Sequence, residues 1–215
     1  MRHVLVYGDS LSWGIVPGTR VRLPFEERWP GILEAKLNTG TGEQLRIVED
    51  CLNGRRTVWE DPFKAGRNGF EGLAQRMEVN SPLSLVIVML GTNDFQFCHQ
   101  HSDAWSVAQG VARLVDTIRK APIEPGMAVP PVLVVCPPPP QAACGSMTEK
   151  FRGAGERSAG LSEAYRRMAE ELGCGFFDAG KAVRVSEVDG VHLDAEEHPK
   201  LADALGATVG RLLAK

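Results

Sequence analysis

A hydroxyl, an imidazole, a carboxylate and a side-chain amide fall in this chain where apolar runs stop and turn residues begin. Ser10 lies in Gly8-Asp9-Ser10-Leu11-Ser12 and Asn93 in Gly91-Thr92-Asn93-Asp94, while Asp189-Gly190-Val191-His192 carries both a carboxylate and an imidazole. A further turn, Leu52-Asn53-Gly54-Arg55, contributes a glycine. These are the groups that acyl transfer requires. A serine hydroxyl is a weak nucleophile at neutral pH and needs an adjacent base. The usual base is a histidine, oriented and held in the right tautomer by a carboxylate. The oxyanion that develops needs fixed donors, each worth about 10²–10³ in rate. The expected catalytic groups are therefore Ser10 as nucleophile, His192 as base and Asp189 as its orienting partner. The backbone N–H groups of Ser10 and Gly54, with the Asn93 amide, are the expected oxyanion donors. Glycine suits position 54 because no side chain blocks approach to its N–H.

Such groups are far apart in sequence, so a scaffold must gather them. Short apolar runs alternate with helix-period segments along the chain. Val4–Tyr7 and Leu83–Leu90 read as buried parallel strands, Leu45–Val48 as a more alternating one, and Val132–Val135 and Gly175–Asp178 as the fourth and fifth. Val107, Val111, Leu114, Val115 and Ile118 share one helical face. So do Leu161, Tyr165, Met168 and Leu172, with Gly173 placed to end that helix. Pro30 is placed to open a helix carrying Ile32, Leu33 and Leu37, and Leu201, Leu205, Val209 and Leu212 mark the last one. Repeated β-α alternation predicts an α/β fold, a parallel sheet with helices on both faces. In such sheets ligands bind beyond the carboxyl ends of the strands. All four chemistry-bearing turns follow predicted strands. Positions 53–72 and 91–102 read as long functional loops.

The ordered set of turns resembles the SGNH (GDSL-type) hydrolases, and the resemblance spans positions 8 to 192. It implies a flavodoxin-like three-layer α/β/α sandwich with a five-stranded parallel sheet, and a Ser-His-Asp esterase working through an acyl-enzyme. The GxSxG elbow of the larger α/β-hydrolases is absent around Ser10. More narrowly, Trp13-Gly14, Arg28-Trp29, Leu52-Asn53-Gly54-Arg55, Asp61-Pro62, Arg67-Asn68-Gly69, Cys136-Pro137-Pro138-Pro139 and Phe177-Asp178-Ala179-Gly180 resemble the small arylesterase/acyltransferase subgroup. That likeness implies hydrolysis of short-chain acyl esters, acyl transfer to alcohols or peroxide, a cytoplasmic location, and homo-oligomers including octamers. By position it implies Leu11, Thr92 and Val191 as pocket residues; Trp13, just past the nucleophile, is added as a candidate. Ile15 and Cys51-Leu52-Asn53 depart from the subgroup's pattern, which bears on acceptor preference.

Composition narrows the alternatives. The chain has 215 residues, 24 Lys+Arg against 27 Asp+Glu and a formal charge of -3. One domain over 1–215 is expected. No basic run marks a nucleic-acid binder, no apolar run suits a membrane span, and the start reads as a strand rather than a secretory leader. The near-neutral charge fits a neutral small-molecule ester as partner. Five cysteines without paired spacing predict free thiols rather than a zinc site or disulfide framework. The pair His99 and His101, Cys136 as a second nucleophile, and Arg55 and Arg56 as anything but a solvated loop are the weaker readings. No cofactor or metal is expected. Rival functions are a carbohydrate acetyl esterase or thioesterase using the same triad, a metal-dependent phosphohydrolase built on Asp9, Asp94, Asp189 and His192, and a non-catalytic oligomeric binding protein.

Overall fold

The structure is a computed structural model that describes residues 1–39 and 44–214. Strands β1 (Arg2–Gly8), β2 (Leu45–Cys51), β3 (Leu85–Met89), β4 (Val132–Cys136) and β5 (Gly175–Asp178) form a parallel sheet in the order β2-β1-β3-β4-β5. This is the flavodoxin-like order, whose switch point lies between β1 and β3. The helices are α1 (Ser10–Trp13), α2 (Trp29–Asn38), α3 (Leu73–Asn80), α4 (Ala104–Arg119), α5 (Ala154–Arg157), α6 (Leu161–Leu172) and α7 (Glu197–Leu213).

Because strand side chains alternate between faces, the sheet supplies two cores. Leu5, Tyr7, Val86, Val88, Val132 and Val134 pack beneath α3, α4 and α6, against Met77, Leu114, Tyr165 and Met168. Val4, Val6, Ile87, Met89, Leu133 and Val135 pack beneath α2 and α7, against Trp29, Leu33, Leu201 and Leu205. The apolar runs in β1, β3 and β4 are continuous because both faces are covered. Asp103 caps α4, accepting the Ser106 N–H at 2.8 Å while the Ser106 hydroxyl closes the capping box.

The expected three-layer architecture is thus present. The central strand spans Leu85–Met89 rather than Leu83–Leu90, with Ser84 donating its N–H to the His3 carbonyl at 2.8 Å just ahead of it. Helix α3 was not foreseen. It is two turns long and buries only Leu73 and Met77, too short a pattern to register as periodic. Among the described residues no helix is long and apolar enough to cross a membrane.

Candidate active site

Strand β1 ends at Gly8 and the chain turns at once into α1, so Ser10 stands at the carboxyl edge of the sheet. Asp9 makes that turn possible. Its Oδ1 accepts the Leu11 N–H at 2.9 Å and caps the short helix, while Gly14 ends it in the left-handed region. The Ser10 and Gly54 N–H groups find no intramolecular acceptor among the described residues. Gly54 has φ +83°, a conformation that strains any L side chain.

From the far end of the chain, the turn after β5 delivers the imidazole. The His192 Nε2 lies 3.1 Å from the Ser10 Oγ, and its Nδ1 lies 2.7 Å from the Asp189 Oδ2. A carboxylate can only accept, so Nδ1 carries the proton and Nε2 is free to accept from the serine hydroxyl. Asp189 also accepts the N–H groups of Val191 and His192 through Oδ1, at 3.0 and 2.9 Å, and that of Gly18 through Oδ2, at 3.2 Å. Burial works against its charge, but the hydrogen bonds from the His192 ring and from both backbone N–H groups outweigh it. The carboxyl group is held well below its ordinary range and stays ionised at neutral pH.

Gly190 is what lets this turn sit so close to the rest. It has φ +75°, and a Cβ there would lie 2.6 Å from the Ala142 carbonyl oxygen. Gln141 donates its N–H to the Gly190 carbonyl and Cys144 donates to that of Asp189, at 2.9 and 3.1 Å. The histidine turn and the segment after β4 are therefore strapped together by backbone hydrogen bonds.

Asn93 reaches the same spot from the loop after β3. Its Nδ2 donates to the Asp9 Oδ2 at 3.0 Å and to the Arg55 carbonyl at 3.2 Å. Both hydrogens are engaged, so an oxyanion at this position would share the longer of the two bonds. Burial raises the Asp9 carboxyl to about 6, against the opposing pull of the Leu11 N–H, His192 and Asn93. Asp94 is raised to about 7 by burial, although the Thr57 hydroxyl and N–H both donate to it.

Next to Ser10 lies a small cavity of about 50 Å³, lined among others by Ile15, Asn53, Gly54, Asn93, Met147, Phe151 and His192. A single water needs ~10–15 Å³ of such space. The space beside Ser10 is therefore a few times that of one water. A larger recess of about 690 Å³ lies at the opposite edge of the sheet, near Arg2, Val132 and Gly175 at the strands' amino ends. Nothing there is arranged for chemistry, and ligands in such sheets bind at the other edge.

The structure brings Ser10, His192, Asp189, Gly54 and Asn93 together. It does not bring Leu11, Trp13, Thr92 or Val191 to this cavity. Leu11 and Val191 are buried in the two cores, one on each face of the sheet. Trp13 lies under the Arg22 guanidinium, 4.8 Å from its ring centroid. Thr92 is buried with its hydroxyl unpartnered. The walls come instead from Asn53 and from Met147 and Phe151 in the segment after β4, which no motif marked. Arg55 and Arg56 are not solvated. Arg55 stacks 4.0 Å from the Tyr7 ring centroid and pairs with Asp50, and Arg56 donates to the Gln96 Oε1 at 2.8 Å. His99 bonds the Glu60 carbonyl at 2.9 Å. Among the described residues no three His, Cys, Asp or Glu side chains are grouped as metal ligands. The oxygens of Asp9 and Asp94 are instead occupied by Leu11, Asn93 and Thr57.

Comparisons with known proteins show the family. The profile of the GDSL-like lipase/acylhydrolase family matches residues 6–202. No curated protein matches the chain. Among solved structures, a carbohydrate acetylesterase family member from Sinorhizobium meliloti is 35% identical over the whole of both chains, with a TM-score of 0.92. The inhibitor-bound aryl esterase of M. smegmatis is 30% identical over 99% of this chain and 100% of its own, with a TM-score of 0.92. A putative arylesterase from Agrobacterium tumefaciens str. C58 is 39% identical over 99% and 100%, with a TM-score of 0.87. The chain belongs to the GDSL-like lipase/acylhydrolase family and is a carboxylic ester hydrolase of the SGNH type.

Proposed function

We propose that this protein is a serine esterase for short-chain acyl esters, with Ser10, His192 and Asp189 as its triad and residues 1–215 as one domain. The observation that carries the reading is the aligned pair of contacts at His192, 3.1 Å to the Ser10 Oγ and 2.7 Å to the Asp189 Oδ2. Beside them lie a small cavity and two backbone N–H groups, those of Ser10 and Gly54, without acceptors among the described residues.

In this reading the Ser10 Oγ attacks the ester carbonyl carbon while His192 Nε2 takes the hydroxyl proton. The carbonyl oxygen gains the negative charge and is held by the N–H groups of Ser10 and Gly54 and by the Asn93 amide. Collapse of that intermediate breaks the bond to the alcohol oxygen, which receives the proton from His192. The acyl group remains on Ser10. Water then gives a proton to His192, attacks the acyl carbon and releases the carboxylic acid, and the proton returns to Ser10. The ionised Asp189 stabilises the imidazolium in both halves. An alcohol or peroxide replacing the water gives acyl transfer by the same steps.

Acetylated carbohydrate is a second reading of the substrate, supported by the small cavity and by the Sinorhizobium meliloti neighbour. The reading extends to a homo-oligomer. Its support is Phe63, 86% exposed, and Trp105, 68% exposed, two large apolar side chains that a subunit contact would cover. Light scattering of the purified protein checks it.

The deciding experiment is Ser10→Ala against wild type on p-nitrophenyl acetate, with circular dichroism to confirm the fold. Loss of at least 10³-fold in kcat is expected, along with loss of fluorophosphonate labelling. Retained turnover would end the serine-esterase assignment. A panel of acetylated sugars with and without added alcohol separates the two substrates and measures transfer.

A further inference from the structure

Three basic side chains line the cavity beside Ser10: Arg20, Lys64 and Lys150. They arrive on three separate loops, after α1, after β2 and after β4. All three are exposed, so they form the rim of the cavity rather than its floor. None is ion-paired among the described residues. Elsewhere the chain pairs its cations freely: Arg28 with Glu49, Arg55 and Arg76 with Asp50, Arg113 with Asp116, Arg166 with Glu163 and Glu170.

Asp61 is the one carboxylate among the cavity's lining residues. It faces the buried Arg56 at 3.5 Å and accepts the Phe63 N–H at 2.9 Å. Its charge is matched from below, which leaves the three rim cations in excess. They also act on one another. The Lys150 ammonium is pulled below its ordinary range by partial burial, with Asp61 opposing and Lys64, Arg56 and Arg20 adding to the effect. Lys64 is lowered in the same direction by burial, Arg67 and Arg20.

Like charges brought to one rim without counter-ions repel, and a concave site of one sign concentrates ligands of the other. The chain as a whole carries a charge of -3, so this is a local arrangement and not a reflection of composition. The acyl carbon must reach the buried Ser10 and His192 while the three cations lie at the exposed rim, so an anion at the rim is assigned to the alcohol half of the ester.

We infer that the preferred substrate is an ester of a small acyl group with an anionic alcohol, its carboxylate or phosphate held by Arg20, Lys64 and Lys150 at the cavity rim. This rests on the esterase reading above and adds the substrate's charge to it. It replaces the neutral ester expected from overall composition. Net charge is a sum, and the sum hid a positive rim.

The test uses a matched pair, 4-acetoxybenzoate and the neutral 4-acetoxybenzamide. For each, kcat/KM is divided by the rate of uncatalysed hydrolysis to remove the difference in leaving group. Wild type is expected to favour the anion, with the preference falling as salt rises from about 20 to 500 mM. Each of Arg20→Met, Lys64→Met and Lys150→Met is expected to lower the anion-to-amide ratio roughly two- to fivefold, as exposed charge pairs do. Lys150→Glu is expected to lower it further. An unchanged ratio in all variants, or a wild type that treats the two esters alike at low salt, overturns the inference while leaving the esterase intact. Failure to turn over either ester, with no fluorophosphonate labelling of Ser10, would instead remove the esterase reading beneath it.

Discussion

Gln96 donates its side-chain amide to the Oδ1 of Asn93 across 2.7 Å. The direction of that bond follows from Arg56, which has only donors to offer and takes the Gln96 Oε1 at 2.8 Å. Gln96 is left with its nitrogen toward Asn93, and Asn93 with its own nitrogen toward Asp9 and the Arg55 carbonyl. A buried arginine thus sets the orientation of the proposed oxyanion donor through one intervening side chain.

Gln96→Leu is expected to free the Asn93 amide to rotate. The consequence is a fall of about tenfold in kcat with KM nearly unchanged, since the donor acts on charge that develops only in the transition state. Steady-state kinetics on p-nitrophenyl acetate reads the split. An equal rise in KM would mean that Gln96 shapes the pocket instead.

Gly54→Ala puts a side chain on a backbone at φ +83°. The strain costs about 1–2 kcal/mol, and relaxing it turns the Gly54 N–H away from the cavity. A drop of 10- to 100-fold in kcat is expected, with a melting temperature only a few degrees lower. Thermal unfolding beside kinetics checks both.

Two buried groups give the stability opposite pH slopes. Burial raises Asp94 from 3.8 to about 7, so its contribution is complete below about pH 4 and is lost as pH rises through 7. His198 is lowered from 6.5 to about 4, by burial and then by Arg28. Its contribution is complete above pH 6.5 and is lost as pH falls through 4. Between pH 4.5 and 7.5 the unfolding free energy of wild type minus that of Asp94→Asn should therefore shrink. The same difference against His198→Gln should grow. Each change is of order 1–3 kcal/mol, measurable by urea titration at four pH values.

Arg28 grips Glu49 with two hydrogen bonds, Nε to Oε1 at 3.0 Å and Nη2 to Oε2 at 2.5 Å, with both side chains nearly buried. Arg28→Met leaves that carboxylate to Arg22 alone, whose Nη2 lies 3.2 Å from Oε2, and is expected to cost about 1.5–3 kcal/mol. Adding Glu49→Gln to the same chain should recover part of the loss, read as coupling in a double-mutant cycle.

The strands and most helices were legible in the sequence because burial writes itself as apolar runs and 3.6-residue periods. The turns that carry Ser10, Gly54, Asn93 and His192 were legible because each follows a strand in a parallel sheet. The cavity walls were not. Met147 and Phe151 lie in a segment with no period and no motif, and only folding brings them opposite Ser10. Leu11 and Val191 flank Ser10 and His192, but each side chain is buried in a core away from the cavity, a direction that adjacency in sequence does not reveal. Arg55 and Arg56 look like a solvated pair until the fold surrounds them with Asp50, Tyr7 and Gln96.

The strap between Gly190 and the Gln141–Cys144 segment means that His192, the proposed general base, and the wall ending in Phe151 share one backbone frame. Lengthening or shortening that wall would drag the imbalance straight into the His192–Ser10 distance. Variants that exchange side chains at Met147 or Ile15 are therefore expected to change the acyl group accepted while keeping the His192–Ser10 contact, whereas insertions or deletions between Cys136 and Phe151 are expected to disturb it.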